Sequence, residues 1–122
     1  MGILEKVRAH AGDVDFEVQP ELVSLLSSGD FGRYADEKGE MSVCFISNND
    51  ITGGNSGSAM FNARGELLGL AFDGNWEAMS SDILYEPKMQ RTIGVDVRYM
   101  LFMIEKYGKA GNLIQELKIA NP

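Results

Sequence analysis

The sequence predicts a mainly β fold with flanking helices, and three observations carry that prediction. Between residues 41 and 96, glycine and β-branched residues are frequent and the apolar pattern falls toward a period of two. Residues 1–40 are polar, with apolar side chains at helical spacing. Residues 97–122 return to helical spacing with a denser apolar face. The chain is therefore read as a helical lead-in (1–40), a β-rich segment (41–96) and a C-terminal helical segment (97–122).

The first helix is expected where Ile3, Leu4 and Val7 share a face, with Gly12 as its stop. A second begins at Pro20, whose missing N–H costs nothing in a first turn. Leu22, Leu25 and Leu26 form its apolar stripe, Gly29 and Gly32 end it, and Asp36 to Glu40 reads as solvated loop. Met41 to Ser47 reads as a strand buried on both faces, with Cys44 an inert buried thiol. A polar, glycine-dense stretch, Asn48 to Ser58, precedes a short strand from Ala59 to Asn62. A turn at Asn62-Ala63-Arg64-Gly65 then leads into a strand from Leu67 to Phe72, giving a hairpin. A long loop, Asp73 to Arg91, follows, with Trp76 as a packing anchor and Glu77 and Asp82 as solvated charge. Thr92 to Asp96 is a strand. Val97, Met100, Leu101, Met103, Ile104 and Tyr107 cover more than one face of a buried helix that stops at Gly108, with the methionines filling core. Leu113, Ile114 and Leu117 suggest one further amphipathic turn or two.

Composition narrows the function. The 122 residues suit one domain or part of one. Eleven Lys and Arg against 18 Asp and Glu give a net charge of −7, which argues against nucleic acid as a partner. No apolar run reaches the roughly 18 residues of a membrane span. One cysteine excludes an internal disulfide framework and a multi-cysteine metal site, and no metal or other cofactor is implied. The single histidine, His10, sits in a polar helical context and is not read as a general base. The N-terminal residues lack the apolar core of a signal peptide.

One run carries chemistry: Thr52-Gly53-Gly54-Asn55-Ser56-Gly57-Ser58. A plain turn needs one or two glycines, whereas three here surround a hydroxyl between two strands. Glycine permits positive φ and close backbone approach, so successive N–H groups can face one cavity. Acyl transfer requires that geometry: a serine Oγ beside backbone donors that receive the developing oxyanion. Gly-Asn-Ser-Gly followed by a small residue and a strand has the form of the nucleophile loop of chymotrypsin-fold peptidases. A phosphate-binding loop is excluded because no Gly-Lys-Ser/Thr follows, and an α/β-hydrolase elbow because no helix follows. Asn55, being neutral, needs no newly cleaved N-terminus as a partner. Asp50, six residues before Ser56, is read as a hydrogen-bonding residue of the loop rather than a selector of basic side chains.

The segment Cys44 to Ser58, the run Gly69-Leu70-Ala71-Phe72-Asp73-Gly74-Asn75-Trp76-Glu77-Ala78-Met79-Ser80, and the stretches Gln90 to Ile93 and Val95 to Phe102 resemble bacterial dipeptidyl peptidases 7 and 11. The similarity runs from about Asp30 to Leu117. It implies the C-terminal half of a chymotrypsin-like double β-barrel followed by a C-terminal helix. It further implies an enzyme that releases dipeptides from oligopeptides with a free N-terminus, in the periplasm or at the cell surface. By that resemblance Ser56 is the nucleophile, the N–H groups of Gly54 and Ser56 form the oxyanion hole, and Asp73 meets the substrate's α-amino group. Gly74 stands where the two specificities diverge, and glycine there implies an apolar P1 side chain and the dipeptidyl peptidase 7 branch. Met60 replaces the proline of many relatives. The family's catalytic His and Asp lie upstream of the matched motifs, so the chain is expected to be a fragment, silent alone, with the missing N-terminal barrel or a second copy as partner. A glutamyl-endopeptidase-like piece, disfavoured by the absence of histidine in Gly69 to Phe72, and a non-catalytic module retaining the serine loop are the alternatives.

Overall fold

The computed structural model describes residues 2–80, 84 and 86–120. Helix α1 spans Ile3–Ala9, and the Glu5 carboxylate accepts from the Gly2 N–H at 2.9 Å, satisfying one of the donors that a helix start leaves free. Helix α2 spans Pro20–Ser28 with Pro20 in its first turn, and it ends where Gly29 adopts φ +68°. Gly32 does not end that helix; it opens a 3₁₀ turn, Gly32–Tyr34. Strands β1 (Cys44–Ser47), β2 (Ala59–Phe61), β3 (Leu67–Gly74) and β4 (Thr92–Asp96) form one antiparallel sheet in the order β1-β4-β3-β2. The C-terminal segment is not one helix. It divides into α3 (Val97–Phe102), a π-helical stretch (Met103–Tyr107) and α4 (Gly111–Glu116).

The helices build their own core. Phe102 is fully buried, with Leu26 and Tyr34 beside it, and Leu22, Leu25, Phe31 and Met41 pack around them. Phe31 and Tyr34 both meet the Phe102 ring edge-on, at centroid separations of 5.7 and 6.3 Å, the arrangement ring quadrupoles favour. Burial, then the hydrogen bond to Glu105, pushes the Tyr34 hydroxyl up to about 12.

The sheet packs by a different device. Phe45 of β1 pairs in register with Gly94 of β4, and a Cβ on Gly94 would lie 2.8 Å from both the Phe45 ring and the Met60 sulfur. A Cβ on Gly69 would overlap the Val95 carbonyl oxygen. Gly69 is small because the β4 backbone at Val95 approaches it, and the Phe45 ring also lies close to both glycines. The other face of β1 is open: Ile46 is 67% exposed and Cys44 is exposed. The expected strand buried on both faces is corrected, because β1 is an edge strand with cover on one face only. Desolvation and the charge of Asp96 push the Cys44 thiol above its ordinary value, which keeps its thiolate fraction small. Trp76 is 82% exposed and anchors no packing. The segment expected as one long loop is partly ordered, since β3 continues to Gly74 and a 3₁₀ turn spans Trp76–Ser80. Glu77 is exposed, and Asp82 lies outside the described residues.

Asp96 joins sheet to helices. It ends β4, its N–H donates to the Val43 carbonyl at 2.9 Å, and its side chain caps α3 by accepting from the Arg98 N–H at 2.9 Å. The Arg98 guanidinium closes on the same carboxylate at 3.0 and 2.7 Å. Burial acts to raise the Asp96 carboxyl, but the bonds and charge of Arg98 outweigh it and hold the group below its ordinary value. A carboxyl with a depressed pKa in the folded state binds its proton more readily once unfolded, so its contribution is present near neutrality and lost as pH falls. The urea midpoint is therefore expected to drop on acidification below about pH 4, and Asp96→Asn to flatten that drop while lowering the midpoint at pH 7.

Candidate active site

The serine loop is held by its own asparagine. The Asn55 Oδ1 accepts from the Thr52 N–H at 2.8 Å and from the Thr52 hydroxyl at 3.2 Å, and the Asn55 N–H donates to the Thr52 carbonyl at 3.2 Å. Gly54 and Gly57, at φ +93° and +85°, take the left-handed turns that the bend requires. Two further bonds clamp the loop to β3: Gly57 N–H to the Ala71 carbonyl at 2.7 Å, and Ala71 N–H to the Ser58 carbonyl at 2.9 Å. Asp50 is exposed, and the hydrogen-bonding role expected of it belongs to Asn55.

Between these fixed points Ser56 is exposed. The N–H groups of Gly54 and Ser56 donate to no other described residue. A cavity of about 240 Å³ opens beside the loop, lined from the loop by Ser56, Gly53, Ile51 and Thr52 and from the end of β3 and beyond by Phe72, Asp73, Gly74 and Asn75. The structure thus brings Ser56, Asp73 and Gly74 into one cavity; Gly53, rather than Gly54, is the loop glycine that lines it.

A bulge sets the far wall. In the β3–β4 ladder Ala71 pairs with Gly94 and Asp73 with Ile93, so Phe72 is an extra, unpaired residue. The slip changes which face Asp73 and Gly74 present, a device common beside active sites. Asp73 is exposed and its Oδ1 accepts from the Gly74 N–H at 2.8 Å. Three lining residues were not legible as site residues: Asn75, Ala78 and Met79. The Gly74-Asn75 pair signals only a turn, and nothing local shows that the following turn folds back onto the cavity.

His10 is not near this cavity. Its ring stacks on Phe16 at 4.0 Å, at the end of α1. Among the described residues no group of His, Cys, Asp and Glu could hold a metal, and no helix is long and apolar enough to cross a membrane.

Comparison with known proteins follows the same lines. The Peptidase S46 family profile matches residues 1–119. The chain belongs to the peptidase S46 family. A dipeptidyl-peptidase 7 from Porphyromonas endodontalis is 58% identical over 118 residues, 97% of this chain and 14% of that protein. The Porphyromonas gingivalis dipeptidyl-peptidase 7 is 56% identical, covering 97% of this chain and 16% of the relative. The crystal structure of Porphyromonas endodontalis DPP11 in complex with the dipeptide Arg-Glu superposes with a TM-score of 0.88 at 44% identity, covering 94% of this chain and 16% of the other. The S46 chain described here therefore spans about a sixth of the length of the relatives it matches. Membership bears out the resemblance.

The apolar P1 preference expected from Gly74 is corrected by the same comparison. Relatives named Asp/Glu-specific dipeptidyl-peptidase match this S46 chain at 44–49% identity. The packing gives Gly74 another reason to be small. A Cβ there would lie 2.8 Å from the Ala78 Cβ and 3.5 Å from Ile51, so the position is closed by its neighbours rather than left open for a substrate side chain.

Asn55→Ala removes two bonds from Thr52 and is expected to speed hydrogen exchange at the Thr52 amide about tenfold or more, measured by NMR on the chain, while β4 amides keep their protection.

Proposed function

We propose that this S46 chain supplies the nucleophile loop and substrate cavity of a serine-type dipeptidyl peptidase that releases N-terminal dipeptides from oligopeptides. The observation that carries this reading is the exposed Ser56 lining the same cavity as the Asp73 carboxylate. Ser56 Oγ attacks the scissile carbonyl, the amide C–N bond breaks as the shortened peptide leaves as an amine that takes up the serine proton, and water then hydrolyses the acyl-enzyme ester to release the dipeptide and restore the hydroxyl. The unengaged N–H groups of Gly54 and Ser56 are the oxyanion donors. The Asp73 carboxylate pairs with the substrate's α-ammonium, which fixes the cut two residues from a free N-terminus and rejects blocked ones. The sheet is then the C-terminal half of a chymotrypsin-like double barrel, and the base and its orienting acid come from a part of the enzyme outside these residues. The compartment that fits is the periplasm or the cell surface, where oligopeptides are available.

A serine hydroxyl without a base is a weak nucleophile, and the only histidine of this chain is stacked on Phe16. The isolated chain is therefore expected to show no turnover of a dipeptidyl substrate and no labelling by a fluorophosphonate; robust turnover abolished by Ser56→Ala would overturn that expectation. In the full-length enzyme, Asp73→Asn is expected to raise KM for a free-amine substrate by about one to two orders of magnitude and to erase its preference over the N-acetylated analogue, read by steady-state kinetics on the pair.

A further inference from the structure

Beyond the serine loop, the cavity lining has two parts joined by one residue. One is the bulged end of β3, Asp73 and Gly74; the other is the 3₁₀ turn carrying Ala78 and Met79. Asn75 lies between them. Its N–H donates to the Arg91 carbonyl at 2.9 Å, and its Oδ1 accepts from the Arg91 N–H at 2.8 Å. Backbone and side chain together thus bracket a single residue just before β4. The Asn75 Nδ2 donates to the Met89 carbonyl at 2.8 Å, and its own carbonyl receives the Ala78 N–H at 2.9 Å. Arg91 extends the lattice, its guanidinium donating to the carbonyls of Pro87, Gln90 and Lys88 at 2.9, 2.7 and 3.1 Å.

We propose that Asn75 is a positioning residue for substrate recognition, acting through both walls to set the width of the cavity. A 3₁₀ turn of five residues makes poor hydrogen bonds of its own, so its place is dictated by what anchors it. Here the anchor is the Asn75 carbonyl at one end of a bracket that reaches across to Arg91. The two parts also lie close together: the Ala78 methyl occupies the space that a side chain on Gly74 would need, so the turn sits directly against the strand end. Both ends of the Asn75 side-chain amide are engaged with the chain rather than offered to a ligand. The residue therefore shapes the site without touching the reacting bond.

This proposal rests on the reading of the cavity as the dipeptide site, and the experiment separates the two. This chain is placed in a full-length dipeptidyl-peptidase 7 relative in exchange for the matching segment. Three variants are compared: Asn75→Ala, Arg91→Ala, which leaves every cavity-lining side chain in place, and Ser56→Ala. Two readouts are taken, KM for a dipeptidyl substrate and the rate of labelling by a small alkyl fluorophosphonate that needs the serine but not the cavity walls. Asn75→Ala is expected to raise KM about tenfold, the scale of one or two lost hydrogen bonds, with labelling within about twofold of the parent. Arg91→Ala is expected to move KM in the same direction by less, and it carries the test if Asn75→Ala does not fold. An unchanged KM in either variant overturns the proposal, as does a labelling rate that falls in step with the rise in KM, which marks a merely structural role. Labelling that survives Ser56→Ala instead overturns the assignment of the nucleophile.

Discussion

The reciprocal pair of backbone bonds between Ala71 and the Gly57–Ser58 segment is the contact on which the site depends. It makes the end of the serine loop behave as a short extension of the sheet, so the position of Ser56 is set by β3 rather than by loop flexibility. Because β3 is a central strand, paired with both β2 and β4, the constraint passes into the most connected part of the fold. Asn55 completes it from the other side by satisfying the Thr52 donors inside the bend. A loop tied at both ends holds a hydroxyl with little orientational freedom, the condition under which positioning contributes to catalysis.

The opposite wall depends on an irregularity one residue after that clamp. Ala71 is the last residue of β3 in regular register; Phe72 is the extra residue of the bulge, and Asp73 and Gly74 resume pairing shifted by one. The clamp and the bulge are adjacent, so the two walls of the cavity are built on the same few residues. Beyond them Asn75 and Arg91 continue the pairing with side-chain groups where the backbone ladder ends.

Chemistry in this site is divided among elements of different rigidity. Ser56 and its neighbouring amides sit on a clamped bend, Asp73 sits on a bulged strand end, and a further part of the lining is a short turn that carries the exposed Met79. The helical core around Phe102 takes no direct part. It is coupled to the sheet at Asp96, where a strand end, a helix cap and the Arg98 ion pair coincide in one carboxylate. Loss of that group loosens the junction between the two halves before it touches the cavity.

The sequence by itself determined the local boundaries and the bend that exposes Ser56. Pro20, Gly29 and the 62–65 turn mark boundaries through backbone restrictions that act within a few residues, and they appear where those restrictions place them. Gly54 and Gly57 beside Ser56 identify the bend because other residues adopt their positive-φ backbone only at a cost. What only the tertiary structure decided was set by partners distant along the chain. Gly69 is small because of the Val95 backbone, Gly94 because of Phe45 and Met60, Gly74 because of Ala78, and among the described residues β1 has a strand on one edge only. The slip at Phe72 and the bracket from Asn75 to Arg91 belong to the same class, since strand register and cross-loop hydrogen bonds follow from how segments meet. A sequence pattern records what a residue does to its neighbours in the chain; it does not record which distant surface makes that choice necessary.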